Sequence, residues 1–141
     1  MSRATRFSVA MHALALIEHL PEHRLTSEMI ANSVGTNPSF VRRVLAMLGH
    51  AGLVQSASGV AGARLARPAA KISLLDVYRA VDMEDEHRLA VHAEPNPRCA
   101  VGRHIQGALD AAIGPAEAAF EAQLKRRSLA DVTSFIAAQA K

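Results

Sequence analysis

Apolar residues recur at helical spacing along most of this chain, and each run ends at a residue that stops helices. From about Arg6 to His19, the residues Phe7, Ala10, Met11, Ala13, Leu14 and Ile17 fall on one broad face, and Pro21 closes the segment. LTSEMIANSVG predicts a compact second helix. Thr26 or Ser27 can cap it, Ile30 and Val34 repeat at i, i+4, and Gly35 supplies a left-handed stop. TNPSFVRRVLAMLGHAG predicts a third helix, with Asn37 as N-cap and Pro38 in the first helical position. Val41, Val44, Leu45 and Leu48 make its buried stripe, Ser39, Arg42, Arg43 and Ala46 share the opposite face, and Gly52 terminates it.

The period then changes. In LVQSASGVAGARLARP, Leu53 and Val54 begin a strand, Gly59 and Gly62 mark a turn, and Arg64, Leu65, Ala66 and Arg67 return in alternation before Pro68. KISLLDVYRAVDMEDEH restores the helical period. Ser73 caps it with Asp76 in the capping-box position, Leu74, Leu75, Val77, Tyr78 and Val81 are its apolar surface, and Asp82 to Glu86 form an acidic exit. Residues 87–98 read as a loop because of Pro95, Asn96 and Pro97. A long helix follows from about Val101, with Val101, Ile105, Leu109, Ala112 and Ile113 at helical spacing. Gly114 and Pro115 are expected to kink or restart it, after which Ala116, Ala119, Phe120, Gln123 and Leu124 continue the stripe. Ser128 and Asp131 open a short terminal helix.

Two short helices joined by a tight turn, the second with an exposed Ser/Arg/Arg face, make a helix-turn-helix, and the two strands after it make a wing. The predicted fold is mostly α: a winged helix-turn-helix DNA-binding domain over residues 1–82, then a sensor loop and dimerisation helices over 83–141. A long helix outside a compact module needs something to pack on, and a twofold copy of the chain is the economical partner because it doubles the DNA contacts.

Composition adds three things. Of the 141 residues 50% are hydrophobic but only 4% aromatic, so the core must be aliphatic. A single Cys excludes an intrachain disulfide framework. No apolar run is long enough for a bilayer, and the N-terminal stretch reads as an amphipathic helix of a cytoplasmic protein, not as a signal peptide.

Net charge is only +3, but its distribution is uneven. From Met29 to Leu75 there are 47 residues without one acid, and within them lie Arg42, Arg43, Arg64, Arg67 and Lys71. A surface that keeps positive charge and excludes negative charge suits a polyanion, since phosphate contacts release condensed counterions. The third helix is therefore the expected reading head in a major groove, and Arg64 in the wing suits a minor groove.

At this point the chain resembles the IscR, NsrR and CymR type of bacterial winged-helix regulator. The similarity rests on RFSVAMHALALI, LTSEMIANSVGTNPSFVRRVLAMLGHAGLV, ARLARPAAKISLLDVYRAVD, NPRCAVGRHIQ and SLADV, which span nearly the whole chain in the family's order. The resemblance implies a homodimer that represses promoters with roughly palindromic operators in double-stranded DNA. By position it implies that Ser39, Arg42 and Arg43 reach base edges or phosphates, with Asn37 and Pro38 at the start of the same helix. Arg6, Ser8, Thr26 and Thr36 would meet phosphates and Arg64 would sit in the wing. Ile105, Leu109, Ala112, Ile113, Phe120 and Leu124 would form the dimer seam.

Two features depart from the family. Val60, Ala61 and Ala63 stand where the family's wing is usually richer in glycine. The iron–sulfur members carry three cysteines before the dimerisation helix, whereas this chain has only Cys99, so no cofactor is expected.

Cys99 lies next to Arg98, near Arg103 and His104, at the start of the long helix. Positive neighbours and a helix N-terminus both favour the thiolate, the reactive form. The segment resembles a cysteine-bearing one in family members that sense oxidants or electrophiles such as quinones, and that resemblance makes Cys99 a candidate regulatory thiol. The alternative is a small buried hydrophobe, with regulation by a non-covalent ligand or protein partner. His87, His92 and His104 flank Cys99, but their spacing matches no metal motif, and packing or solvated histidines are expected. No nucleophile–base pair or phosphate-binding glycine loop suggests an enzyme. A winged helix used only to bind proteins would show apolar or acidic residues where Ser39, Arg42 and Arg43 stand.

Overall fold

A computed structural model describes residues 2–21, 24–56, 62–83, 89 and 92–140. Among the described residues, six α-helices and one two-stranded sheet are arranged in the predicted order, and these residues are mostly helical. The first helix, α1 (Arg3–His19), starts three residues earlier than its apolar period suggests, because Ser2 Oγ accepts from the Thr5 amide at 3.2 Å. Helix α2 (Ser27–Val34) is capped by Thr26 and ends at Gly35, whose φ of 84° is the left-handed conformation a tight turn requires. Helix α3 (Pro38–His50) starts from Asn37, whose side chain accepts from the Phe40 amide at 2.8 Å.

Strands β1 (Val54–Gln55) and β2 (Arg64–Leu65) pair antiparallel, Val54 opposite Leu65 and Gln55 opposite Arg64. The expected turn at Gly59, with Val60 and Ala61, lies outside the described residues, as do Glu84 to Glu86 of the acidic exit and His87. Ala63 differs from its expected place in the wing's tip. It is buried, and its amide donates to the Leu25 carbonyl at 3.2 Å, joining the wing's base to the segment before α2. Gly62 makes that approach possible: its φ is 103°, and a Cβ there would meet the Arg24 Cβ at 2.6 Å.

One aliphatic core holds these elements together. Ala10, Ala13, Leu14 and Ile17 of α1, Ile30 of α2, Val41, Val44 and Leu48 of α3, and Leu53 are all buried in it. Leu45, expected in the buried stripe of α3, is only half-buried and packs against its edge. A single 3₁₀ turn (Ala69–Lys71) leads into α4 (Leu74–Ala80), which adds Val77.

The long helix α5 (Ala100–Lys125) runs through Gly114 and Pro115 as one element, so it does not restart there. The hydrogen bond that Pro115 cannot make would end on the Ala111 carbonyl, and both residues are exposed, so that carbonyl is open to solvent. None of its 26 residues is buried. The last helix, α6 (Leu129–Gln139), returns to the first unit: Leu129 is fully buried in the same core. The capping boxes of α4 and α6 stand side by side, with Ser73 bridging Ser128, the Leu74 amide on the Arg127 carbonyl and the Leu129 amide on the Ile72 carbonyl.

Candidate nucleic-acid interface

Helices α2 and α3 expose polar side chains, with Met29 of α2 an exposed apolar residue among them. Ser39, Arg42, Arg43 and Ala46 are exposed on the outer face of α3, opposite buried Val41, Val44 and Leu48. The caps Thr26 and Asn37 each satisfy one first-turn amide with a side-chain oxygen. The remaining first-turn N–H groups of both helices, which have no intrahelical acceptors, lie at two positive helix ends. Thr36 is half-buried in the turn between them, and its amide donates to the Ala31 carbonyl at 3.1 Å. Ser8 is exposed on α1. Arg64 is exposed on β2 itself, opposite Gln55, so it is part of the wing's ladder.

The two arginines of α3 are held differently. Arg42 Nη1 donates to Glu28 Oε1 and Arg42 Nη2 donates to Ser39 Oγ, both at 3.3 Å. The Arg43 guanidinium stands over the Phe40 ring, 5.7 Å from its centroid. Glu28 has no role in the sequence reading. It closes the chain segment before the acid-free run, and its position 14 residues before Arg42 gives no periodic cue. An open groove separates α3 from the wing, lined by Arg42, Ala46 and Gly49 on one side and Gln55 and Ser56 on the other.

Arg6 departs from expectation. It is 4% exposed, and its Nε donates to the Val81 carbonyl at 3.0 Å, at the C-terminal end of α4. It belongs with Ala10, Ala13 and Ile17 on the buried face of α1, so its charge faces a helix end within the protein and not a phosphate.

Around the second candidate site, Cys99 is the N-cap of α5 and is exposed, so the buried-hydrophobe alternative does not describe it. Its thiol is lowered below the usual range, first by the Gly102 backbone N–H and then by that of Val101, against a smaller opposing effect of burial. The lowering comes from the helix's own N-terminus and not from Arg98, Arg103 and His104, which are all exposed. Asn96 shapes this corner. Its carbonyl accepts from the Cys99 amide at 3.2 Å and its side chain from the Arg98 amide at 3.0 Å, and a Cβ at Gly102 would overlap that carbonyl.

The expected dimer residues divide into two sets. Ile105, Leu109, Ile113 and Leu124 form a half-buried stripe, while Ala112 and Phe120 are exposed. Phe120 packs edge-on against Tyr78 of α4, with centroids 5.4 Å apart, and Tyr78 in turn meets Phe7 of α1 at 5.9 Å.

The sequence model of the Rrf2 family, described as an iron-dependent transcriptional regulator, matches residues 3–134. The chain belongs to the Rrf2 family. YwnA of Bacillus subtilis (strain 168), described as an HTH-type transcriptional regulator, is 45% identical over 132 residues, covering 94% of this chain and 97% of its own. A crystal structure of a DNA-binding protein is 42% identical with a TM-score of 0.75, covering 90% of this chain and 97% of that one. IscR from T. potens shares the fold at 23% identity, with a TM-score of 0.62 over 96% of this chain and 86% of its own. These are transcription regulators, so this Rrf2 chain is a regulator and not an enzyme.

The residues of this member do not fit an iron–sulfur cluster. Such a cluster takes about four ligands, mostly thiolates, and the chain has one cysteine. Among the described residues, no three His, Cys, Asp or Glu side chains are grouped to hold a metal ion. No helix is long and apolar enough to cross a membrane among those residues.

Proposed function

We propose that this Rrf2 protein is a homodimeric repressor that binds a palindromic operator through α3 and the wing and is released when Cys99 is modified. The observation that carries the DNA half is the outer face of α3. Ser39, Arg42 and Arg43 are exposed on the second helix of a helix-turn-helix, inside 47 residues free of acids. That surface can offer donors to base edges in a major groove, and Thr26, Thr36, Asn37 and the first-turn amides of α2 and α3 can meet flanking phosphates. Arg64 then contacts the backbone or the minor groove beside the site.

Regulation is assigned to Cys99 because an exposed thiol stabilised as thiolate by a helix N-terminus is the reactive form. With a quinone, the sulfur forms a bond to an electrophilic ring carbon, and the ring takes up a proton and becomes a hydroquinone adduct. With a peroxide, the thiolate becomes a sulfenic acid while the peroxide is reduced to water. Either product adds bulk at the first turn of α5.

Duplexes selected from a random pool by the full chain should contain an inverted repeat, and binding should weaken steeply as salt is raised. Quinone or peroxide should release wild-type protein from the selected duplex and leave Cys99→Ser bound. Release of both proteins alike would remove the thiol from the mechanism and leave the DNA reading in place.

A further inference from the structure

We propose that Glu28 is a specificity-determining residue: it holds the Arg42 guanidinium as a base reader and keeps it off the phosphates. The inference rests on α3 being the DNA-reading helix. An exposed arginine beside DNA has two kinds of acceptor within reach. Phosphate oxygens at the groove edge attract it regardless of sequence, and base edges on the floor reward it only at the right pair. The strong phosphate field captures a flexible guanidinium unless something holds it.

Arg42 is held from two helices at once. Glu28 Oε1, on the first turn of α2, takes Nη1, and Ser39 Oγ, one turn back on α3, takes Nη2, each at 3.3 Å. Two anchors on separate elements fix the plane of the guanidinium fork. Of its five N–H donors three remain, enough for the paired O6 and N7 acceptors of a guanine. An exposed ion pair of this kind adds little to stability, since both side chains are more than half exposed. Its consequence is orientation.

The charge of Glu28 has a second effect. It stands at the border of the 47-residue segment without acids, and a carboxylate there repels every phosphate it approaches. Sequence-independent binding is weakened, while binding to a site that satisfies Arg42 loses less. Arg43 shows the contrasting arrangement. Its guanidinium rests on the Phe40 ring, which leaves its N–H groups available to a phosphate. Adjacent arginines therefore divide the work, Arg42 reading a base and Arg43 holding the backbone.

The test measures binding of the full-length protein to a duplex selected by the wild type and to a scrambled duplex, across a salt series. Glu28→Ala should lower the selected-to-scrambled preference by about tenfold, chiefly by tightening the scrambled complex, and steepen the salt slope by about one as Arg42 turns to a phosphate. Glu28→Gln, which keeps an acceptor for Arg42, should fall between. In an Arg42→Ala background, Glu28→Ala should leave the preference unchanged. The proposal is overturned if Glu28→Ala tightens both duplexes by one factor, or if its effect on preference persists without Arg42, for then Glu28 is only a repelling charge. A wild-type protein that binds no duplex in a salt-dependent way would bring down the DNA-reading assignment of α3 itself, and this inference with it.

Discussion

Arg6 is a cation at 4% exposure, and a buried charge is tolerated only where hydrogen bonds replace water. Its Nε meets the Val81 carbonyl, one of the acceptors that the end of α4 leaves without intrahelical donors. Removing the side chain deprives that carbonyl and opens a gap between α1 and α4. Arg6→Ala should destabilise the fold by about 2–4 kcal/mol, read as a lower urea midpoint. The salt slope of DNA binding should stay at the wild-type value, whereas a phosphate contact at Arg6 would reduce it by about one. Cys99 is governed instead by its exposed setting. Because the Gly102 and Val101 amides lower its thiol, its thiolate persists to lower pH than that of an ordinary cysteine. The rate of iodoacetamide alkylation should therefore reach half its maximum at a lower pH for the protein than for an unstructured peptide of residues 95–103. A midpoint at or above the peptide's would show that the helix start does not stabilise the anion.

At the scale of elements, caps were what made the helices readable. Thr26, Asn37, Ser73 and Ser128 each accept from the amide three positions on, a local interaction that depends only on nearby sequence. The reading face of α3 was legible for the same reason, since helical spacing alone separates Ser39, Arg42 and Arg43 from Val41 and Val44. What stayed hidden depends on partners distant in sequence. The burial of Arg6 needs the end of α4, 75 residues on, and the burial of Ala63 needs Leu25. The ion pair of Glu28 with Arg42 needs α2 and α3 already docked. Pro115 suggested a restart because its cost is visible in sequence, while the exposure of Ala111 and Pro115 is not. The paired capping boxes of α4 and α6 give this scale its own prediction. Ser128→Ala should cost about 1 kcal/mol and raise hydrogen exchange across α6. Exchange should also rise at the Leu74 amide, because the Arg127 carbonyl that receives it sits on the same turn. Faster exchange confined to α6 would mean that the two caps are independent.

At the scale of the whole molecule, α5 is the anomaly. Twenty-six residues at 1.5 Å each make a rod about 39 Å long, yet none of them is buried within the chain. Its main contact with the other helices is with α4, where Phe120 meets Tyr78 and Glu121 pairs with Arg79. The N-terminal half, from Val101 at 68% exposure through the half-buried Ile105 and Leu109, carries apolar surface that the described residues leave partly open. A helix of this kind is not stable alone in water, because most helical stability in proteins comes from packing an apolar face. A second copy crossing the first at this stripe would bury it twice by one symmetry operation and set two α3 helices at a fixed separation. Leu109→Asp places a charge in the middle of that stripe while leaving the core of α1 to α4 and α6 untouched. It should convert a dimer into a monomer in sedimentation equilibrium, with the thermal transition of the winged domain retained. Binding to a duplex carrying both half-sites should fall toward the level of a single half-site, since the second contact is no longer tethered to the first. A Leu109→Asp protein that remains dimeric would move the interface to another surface, with Phe135 and Ile136 on α6, 69% and 46% exposed, the next apolar pair to test.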